Sequence, residues 1–132
     1  MAACNPKRAD AVKKILVVDD QKELRELISV TLRTGDHEIL EAANGRSAVE
    51  VARVEKPDLI IMDVMMPGEI DGLEATKRLK KDPVTNACKI LILSIKGQEI
   101  DREKGYASGA DAYYVKPFSP DLLMKKVDDM LG

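Results

Sequence analysis

Five short apolar runs punctuate the chain: Ile15–Val18, Ile39–Ala42, Leu59–Met62, Ile90–Leu93 and Ala112–Val115. None alternates regularly with polar residues. Runs of this kind belong to strands buried on both faces, as in a parallel sheet. Segments with helical spacing lie between them. Leu24, Leu27, Ile28 and Leu32 share one face of the first, and Ala48, Val51 and Ala52 one face of the second. In the last, Leu123, Val127, Met130 and Leu131 repeat at i, i+4, i+7 and i+8. Its start is marked by Ser119 as N-cap, Pro120 at N1 and Asp121 in the first turn. Asp20 and Glu23 are spaced like a capping box for the first helix. The fourth helical segment, Gln98–Ser108, contains Gly105, which costs a helix about 1 kcal/mol relative to Ala. Five strand–helix units predict an α/β fold, a doubly wound five-stranded parallel sheet with helices on both faces and right-handed crossovers.

Length and charge narrow the function. The 132 residues suit one domain. A formal net charge of −2 gives no global basic field, so direct binding to nucleic acid is not expected. The apolar runs are four residues long, and a membrane helix needs about 20. The basic residues Lys7, Arg8, Lys13 and Lys14 precede no apolar segment of the secretory type. Cys4 and Cys88 are too few for a disulfide framework and point to a reducing compartment, the cytoplasm. Residues 1–12 show no periodicity and read as a disordered leader, which leaves 13–132 as the domain.

In doubly wound sheets the ligand site lies beyond the carboxyl ends of the strands. Strand 1 ends in Asp19-Asp20, strand 3 in Asp63, strand 4 in Ser94 and strand 5 in Lys116-Pro117. Three carboxylates, a hydroxyl and an ammonium are thus aimed at one rim. At 4 Å and an effective dielectric of 20, each like-charge pair costs about 4 kcal/mol. Either the carboxyl pKa values rise or a cation sits among them, and oxygen ligands of this kind suit Mg²⁺. A metal, a lysine and a hydroxyl around a carboxylate make a pocket for a phosphoryl group, whose transfer needs mainly positioning and charge neutralisation. Asp63 can be the acceptor, forming an acyl phosphate. Taken singly, each residue has a plainer reading: an aspartate at a strand end often caps a helix, and a lysine after a strand is usually solvated.

Lys14-Ile-Leu-Val-Val-Asp19-Asp20, Asp63-Val-Met-Met-Pro67, Ile92-Leu-Ser94 and the stretch Gly109–Phe118 together resemble the receiver domain of two-component response regulators, chemotaxis regulators included. The resemblance covers about residues 13–132. It implies a flavodoxin-like sheet of order 2-1-3-4-5. It implies that Asp63 takes a phosphoryl group from a sensor histidine kinase or phosphotransfer protein, so that the chain is a phosphoprotein and not a turnover enzyme. Asp20 would bind Mg²⁺ directly and Asp19 largely through water, with Asp63 and the backbone carbonyl of Met65 completing the ligands. Ser94 would hydrogen-bond the phosphoryl group and Lys116 would pair with it. Pro117 would follow a cis peptide bond. Ser94 and Tyr113 would form the switch, the ring turning inward as Ser94 moves toward the phosphoryl oxygens. The readout surface would be helix 4, strand 5 and helix 5, roughly Gln98 to Leu131. It would address a downstream target protein, or an output domain if the chain belongs to a longer one.

Three departures from the family pattern stand out. Gly68-Glu-Ile-Asp71 separates Pro67 from Gly72 where three residues are common, and is expected to bring Glu69 near the pocket. Ile95 follows Ser94 where a small residue is usual, and is expected to crowd the phosphoryl site. Lys96 stands where a polar or acidic residue is common. Other readings fit less well. A hydrolase using an aspartyl nucleophile needs Asp-x-Asp-x-Thr after strand 1, and no glycine-rich nucleotide loop is present. A lone His37 between Asp36 and Glu38 offers no separate metal site. The remaining alternative is an unphosphorylated pseudo-receiver acting as an interaction module.

Overall fold

The computed structural model describes residues 13–33 and 37–132. The leader expected over 1–12 lies outside them. Five strands alternate with five helices: β1 (Lys13–Val18), α1 (Lys22–Arg33), β2 (His37–Ala42), α2 (Gly45–Glu55), β3 (Leu59–Met62), α3 (Gly72–Lys81), β4 (Lys89–Ser94), α4 (Glu99–Ala107), β5 (Ala112–Val115) and α5 (Pro120–Leu131). All strands are parallel, in the order β2-β1-β3-β4-β5. Each apolar run of the sequence is a strand.

The period of two along a strand sends alternate residues to opposite faces. Leu16, Val18, Ile60, Met62, Ile90 and Ile92 pack with Ala48 and Ala52 of α2, Ala75 and Leu79 of α3, and Tyr113. Ile15, Val17, Ile61, Leu91 and Leu93 pack on the other face with Ile28 and Leu32 of α1 and Leu123 and Val127 of α5. The central strands are therefore apolar throughout because both faces are covered.

Local chemistry fixes the helix ends. Asn44 accepts the Ser47 N–H at 2.8 Å and caps α2. Lys56 ends that helix with φ 50°, ahead of Pro57. Asp71 accepts the Glu74 N–H at 2.9 Å and caps α3. Two expectations change in detail. α1 begins at Lys22, which puts Glu23 one position early for a capping box with Asp20; Asp19 Oδ1 instead accepts the Gln21 N–H at 2.9 Å. Ser119 stands at the N-cap of α5 with Pro120 behind it, but its hydroxyl makes no capping bond.

No helix among the described residues is long and apolar enough to cross a membrane.

Candidate functional site

The backbone carries the strand ladder one residue past the strands and so delivers the site residues to one rim. The Asp19 N–H donates to the Ala42 carbonyl at 3.2 Å, and the Asp63 N–H to the Val18 carbonyl at 3.0 Å. The Lys116 N–H donates to the Ser94 carbonyl at 2.7 Å. Asp19 and Asp63 are thus held side by side at the ends of neighbouring strands, with Asp20 next to Asp19. One carboxylate oxygen from each of Asp19, Asp20 and Asp63 lies within 4.8 Å of the others.

Burial makes this grouping costly. The Asp19 side chain is 2% exposed and that of Asp63 9%, whereas Asp20 is open to solvent. Lys116 Nζ reaches Asp19 Oδ2 at 3.1 Å and Asp63 Oδ1 at 3.4 Å. Burial pushes the Asp63 carboxyl above its ordinary value. The Lys116 charge pulls the other way, and the charges of Asp19 and Asp20 add to the rise. Among the described residues, the Lys116 ammonium pairs with two of the three grouped carboxylates, so the site retains room for further positive charge. All-oxygen donors partly open to water suit a hard divalent cation such as Mg²⁺.

Ser94 ends β4, is fully buried, and its Oγ accepts the Lys96 N–H at 3.1 Å. Tyr113 of β5 is 5% exposed, and its hydroxyl donates to the Lys96 carbonyl at 2.6 Å. The Arg102 guanidinium stands 5.5 Å from the ring centroid. Tyr113 is therefore turned inward and tied, through Lys96, to the loop that begins at Ser94. The Lys116–Pro117 bond is cis. Met65 lies in the loop after β3 with its side chain half exposed.

Two of the departures resolve differently from the expectation. Glu69 does not join the carboxylate group; its side chain is exposed and pairs with Arg46 Nη2, in the first turn of α2, at 3.2 Å. Ile95 is 67% exposed, so its side chain does not fill buried space beside Asp63. Ile95 lies one residue beyond β4, past the stretch Ile90–Ser94 that is buried on both faces of the sheet, and both it and Lys96 are exposed.

Gly72 is a site residue that motif reading passed over. A β-carbon there would stand 2.0 Å from the Asp63 carbonyl oxygen and 2.8 Å from Val64 Cα. The start of α3 thus lies directly against the backbone of Asp63, with the Gly72 N–H donating to the Val64 carbonyl at 3.0 Å. The pattern Asp63-…-Gly72 in the sequence was a usable clue only if this close approach had been anticipated. A cavity of about 570 Å³ opens beside the site between the β3–α3 and β4–α4 loops. Met65, Lys96 and Tyr113 are among the residues lining it.

Comparison with known proteins agrees with this geometry. The family model described as "Response regulator receiver domain" matches residues 15–128. The phosphate regulon transcriptional regulatory protein PhoB of Pseudomonas aeruginosa is 43% identical over 119 residues, covering 90% of this chain and 52% of that protein. The chain thus spans about half the length of PhoB. Protein PilH of the same organism is 38% identical over 119 residues, covering 90% of this chain and 98% of PilH. The chemotaxis protein CheY4 of Vibrio cholerae superposes with a TM-score of 0.84 at 34% identity, over 90% of this chain and 98% of that one.

Proposed function

The chain belongs to the response regulator receiver domain family, and from that premise we propose that Asp63 accepts a phosphoryl group from the phosphohistidine of a sensor kinase or phosphotransfer protein. The observation that carries the reading is the placement of Asp63. It is buried beside Asp19 and Asp20 and within 3.4 Å of the Lys116 ammonium. A structural aspartate gains nothing from such company, whereas a phosphoacceptor needs it.

A carboxylate oxygen of Asp63 attacks phosphorus in line, a P–O bond forms, and the P–N bond to the histidine breaks with its electron pair returning to the ring nitrogen. Asp19, Asp20, Asp63 and the Met65 carbonyl would hold Mg²⁺. When bound, the metal neutralises charge on the carboxylates and the phosphoryl oxygens. Lys116 supplies a fixed ammonium to the same oxygens, and burial keeps water from screening it. Ser94 Oγ, now bonded to the Lys96 N–H, is the hydroxyl that would turn to the phosphoryl group. The product adds close to two negative charges at Asp63, and slow hydrolysis of the acyl phosphate would reset it.

The added charge biases a two-state packing element. Ser94, Lys96 and Tyr113 are already linked by hydrogen bonds, so a shift of Ser94 is felt at the ring. The surface read by a partner would be α4, β5 and α5, where Ile100, Tyr106 and Leu122 expose apolar side chains. A downstream protein, or an output domain in a longer chain, would bind it. The test is intact-mass spectrometry after incubation with Mg²⁺ and acetyl phosphate. The expected result is a gain of one phosphoryl group, absent in Asp63→Asn and absent in EDTA. The same gain in Asp63→Asn would overturn the reading.

A further inference from the structure

Gly105 lies inside α4, where glycine weakens a helix relative to alanine. Its φ is not positive, unlike those of Gly68, Gly109 and Gly132, so the backbone conformation does not call for glycine. The space does. A β-carbon at Gly105 would stand 2.7 Å from Cδ2 and 3.0 Å from Cε2 of the Tyr113 ring, and 3.2 Å from Ile92 Cδ1. Carbon atoms in good contact are about 3.5–4.0 Å apart. The Ile92 methyl is the end of a flexible chain and can give way. The ring cannot do so in place, because its hydroxyl is bonded to the Lys96 carbonyl at 2.6 Å. It can relieve the overlap by turning out toward solvent, which breaks that bond.

We propose that Gly105 is the positioning residue that opens the seat for the inward Tyr113 ring, and that its missing side chain sets the balance between inward and outward ring in the switch coupled to Asp63. The inference rests on the phosphoacceptor reading and adds to it the element that regulates it. The path is continuous: Gly105 admits the ring, the ring holds the Lys96 carbonyl, and the Lys96 N–H holds Ser94 Oγ at 3.1 Å. Linkage is reciprocal. If the occupied site favours the inward ring, a residue that closes the seat must weaken occupancy of the site by the same factor.

The test measures binding of beryllofluoride, with Mg²⁺, to the wild type, Gly105→Ala, Tyr113→Ala and the double variant. Fluorine NMR of fluorotyrosine-labelled protein follows the Tyr113 ring, its resonance assigned by Tyr113→Phe. The expected result is a Tyr113 resonance moved toward its solvent-exposed position in Gly105→Ala. Beryllofluoride affinity falls in that variant by about 5- to 150-fold, the usual range of coupling. In the Tyr113→Ala background the same change at Gly105 is silent, because no ring remains to collide with. Wild type that binds, with Gly105→Ala binding equally and its ring still buried, overturns this inference and leaves the phosphoacceptor reading standing. Wild type that does not bind overturns both. Should Gly105→Ala fail to fold, the proposal requires the double variant to fold as well as Tyr113→Ala alone. A double variant as unfolded as Gly105→Ala refutes it.

Discussion

Replacing the central acid of the site should make the metal-free protein more stable. In Asp63→Asn the buried negative charge is gone while the shape is kept. At an effective dielectric near 20, Asp19 within 4.8 Å repels Asp63 by about 3.5 kcal/mol or more, and Lys116 at 3.4 Å attracts it by about 5 kcal/mol. Asp20 adds repulsion that water largely screens, since it is exposed. Attraction and repulsion roughly offset, which leaves the burial penalty standing, and burial is the largest cause of the raised Asp63 pKa. That penalty is several kcal/mol for an ion and about 1–3 kcal/mol for a neutral amide. Lys116 is not orphaned by the change, because Asp19 still holds it at 3.1 Å. The expected gain is about 2 kcal/mol, or roughly 5–10 °C in Tm for a domain of this size.

The pH dependence has a definite sign. A carboxyl whose pKa is higher in the folded state than in the unfolded state gives a fold that binds more protons, so stability falls as pH rises through the folded value. The advantage of Asp63→Asn is therefore full above the folded value. It shrinks as pH falls toward the ordinary carboxyl value of 3.8. Urea unfolding in EDTA at several pH values measures it, the midpoint moving while the slope stays constant. Mg²⁺ should narrow the difference by stabilising only the wild type. An Asp63→Asn variant no more stable than wild type at neutral pH, with an unchanged slope, would refute the charge argument.

Lys116→Met should cost about 3–5 kcal/mol at neutral pH, because it leaves the buried Asp19 and Asp63 without their cation; an unchanged urea midpoint contradicts this. Gly72→Ala places a β-carbon 2.0 Å from the Asp63 carbonyl oxygen, backbone against backbone, and should cost about 3 kcal/mol and slow labelling by acetyl phosphate. Wild-type stability and labelling in that variant would show the contact to be dispensable. Ile95→Ala should be labelled by acetyl phosphate within about twofold of the wild-type rate, as expected of a surface change. A tenfold change would return Ile95 to the phosphoryl site.

The strands and the acidic rim were legible because each rests on a local rule. Short continuous apolar runs such as Leu59–Met62, each followed by a helical segment, fit strands covered on both faces, and the residues that end parallel strands share one rim. The side-chain orientations beyond the strand ends were not legible. Ile95 falls just beyond the covered length of β4, and Glu69 finds Arg46 in the first turn of α2, neither of which a one-dimensional pattern encodes. Glycines were the least readable. Gly105 looks in sequence like a weak point of α4, and in space it is the clearance for Tyr113; Gly72 looks like a loop residue and is the contact with the Asp63 backbone. A glycine reports the space around it, and that space is made by residues distant in sequence.

The central claim is that the phosphoryl group sits on Asp63 itself. An acyl phosphate is reduced by borohydride to the alcohol, which converts the modified aspartate to homoserine. The protein would be treated with Mg²⁺ and acetyl phosphate, reduced, digested and mapped by peptide mass spectrometry. The account predicts homoserine at position 63, with none at Asp19 or Asp20 and none when Mg²⁺ is withheld. Homoserine at another aspartate would contradict it by moving the phosphoacceptor, and homoserine at none while beryllofluoride also fails to bind would contradict it and favour an unphosphorylated interaction module on the same fold.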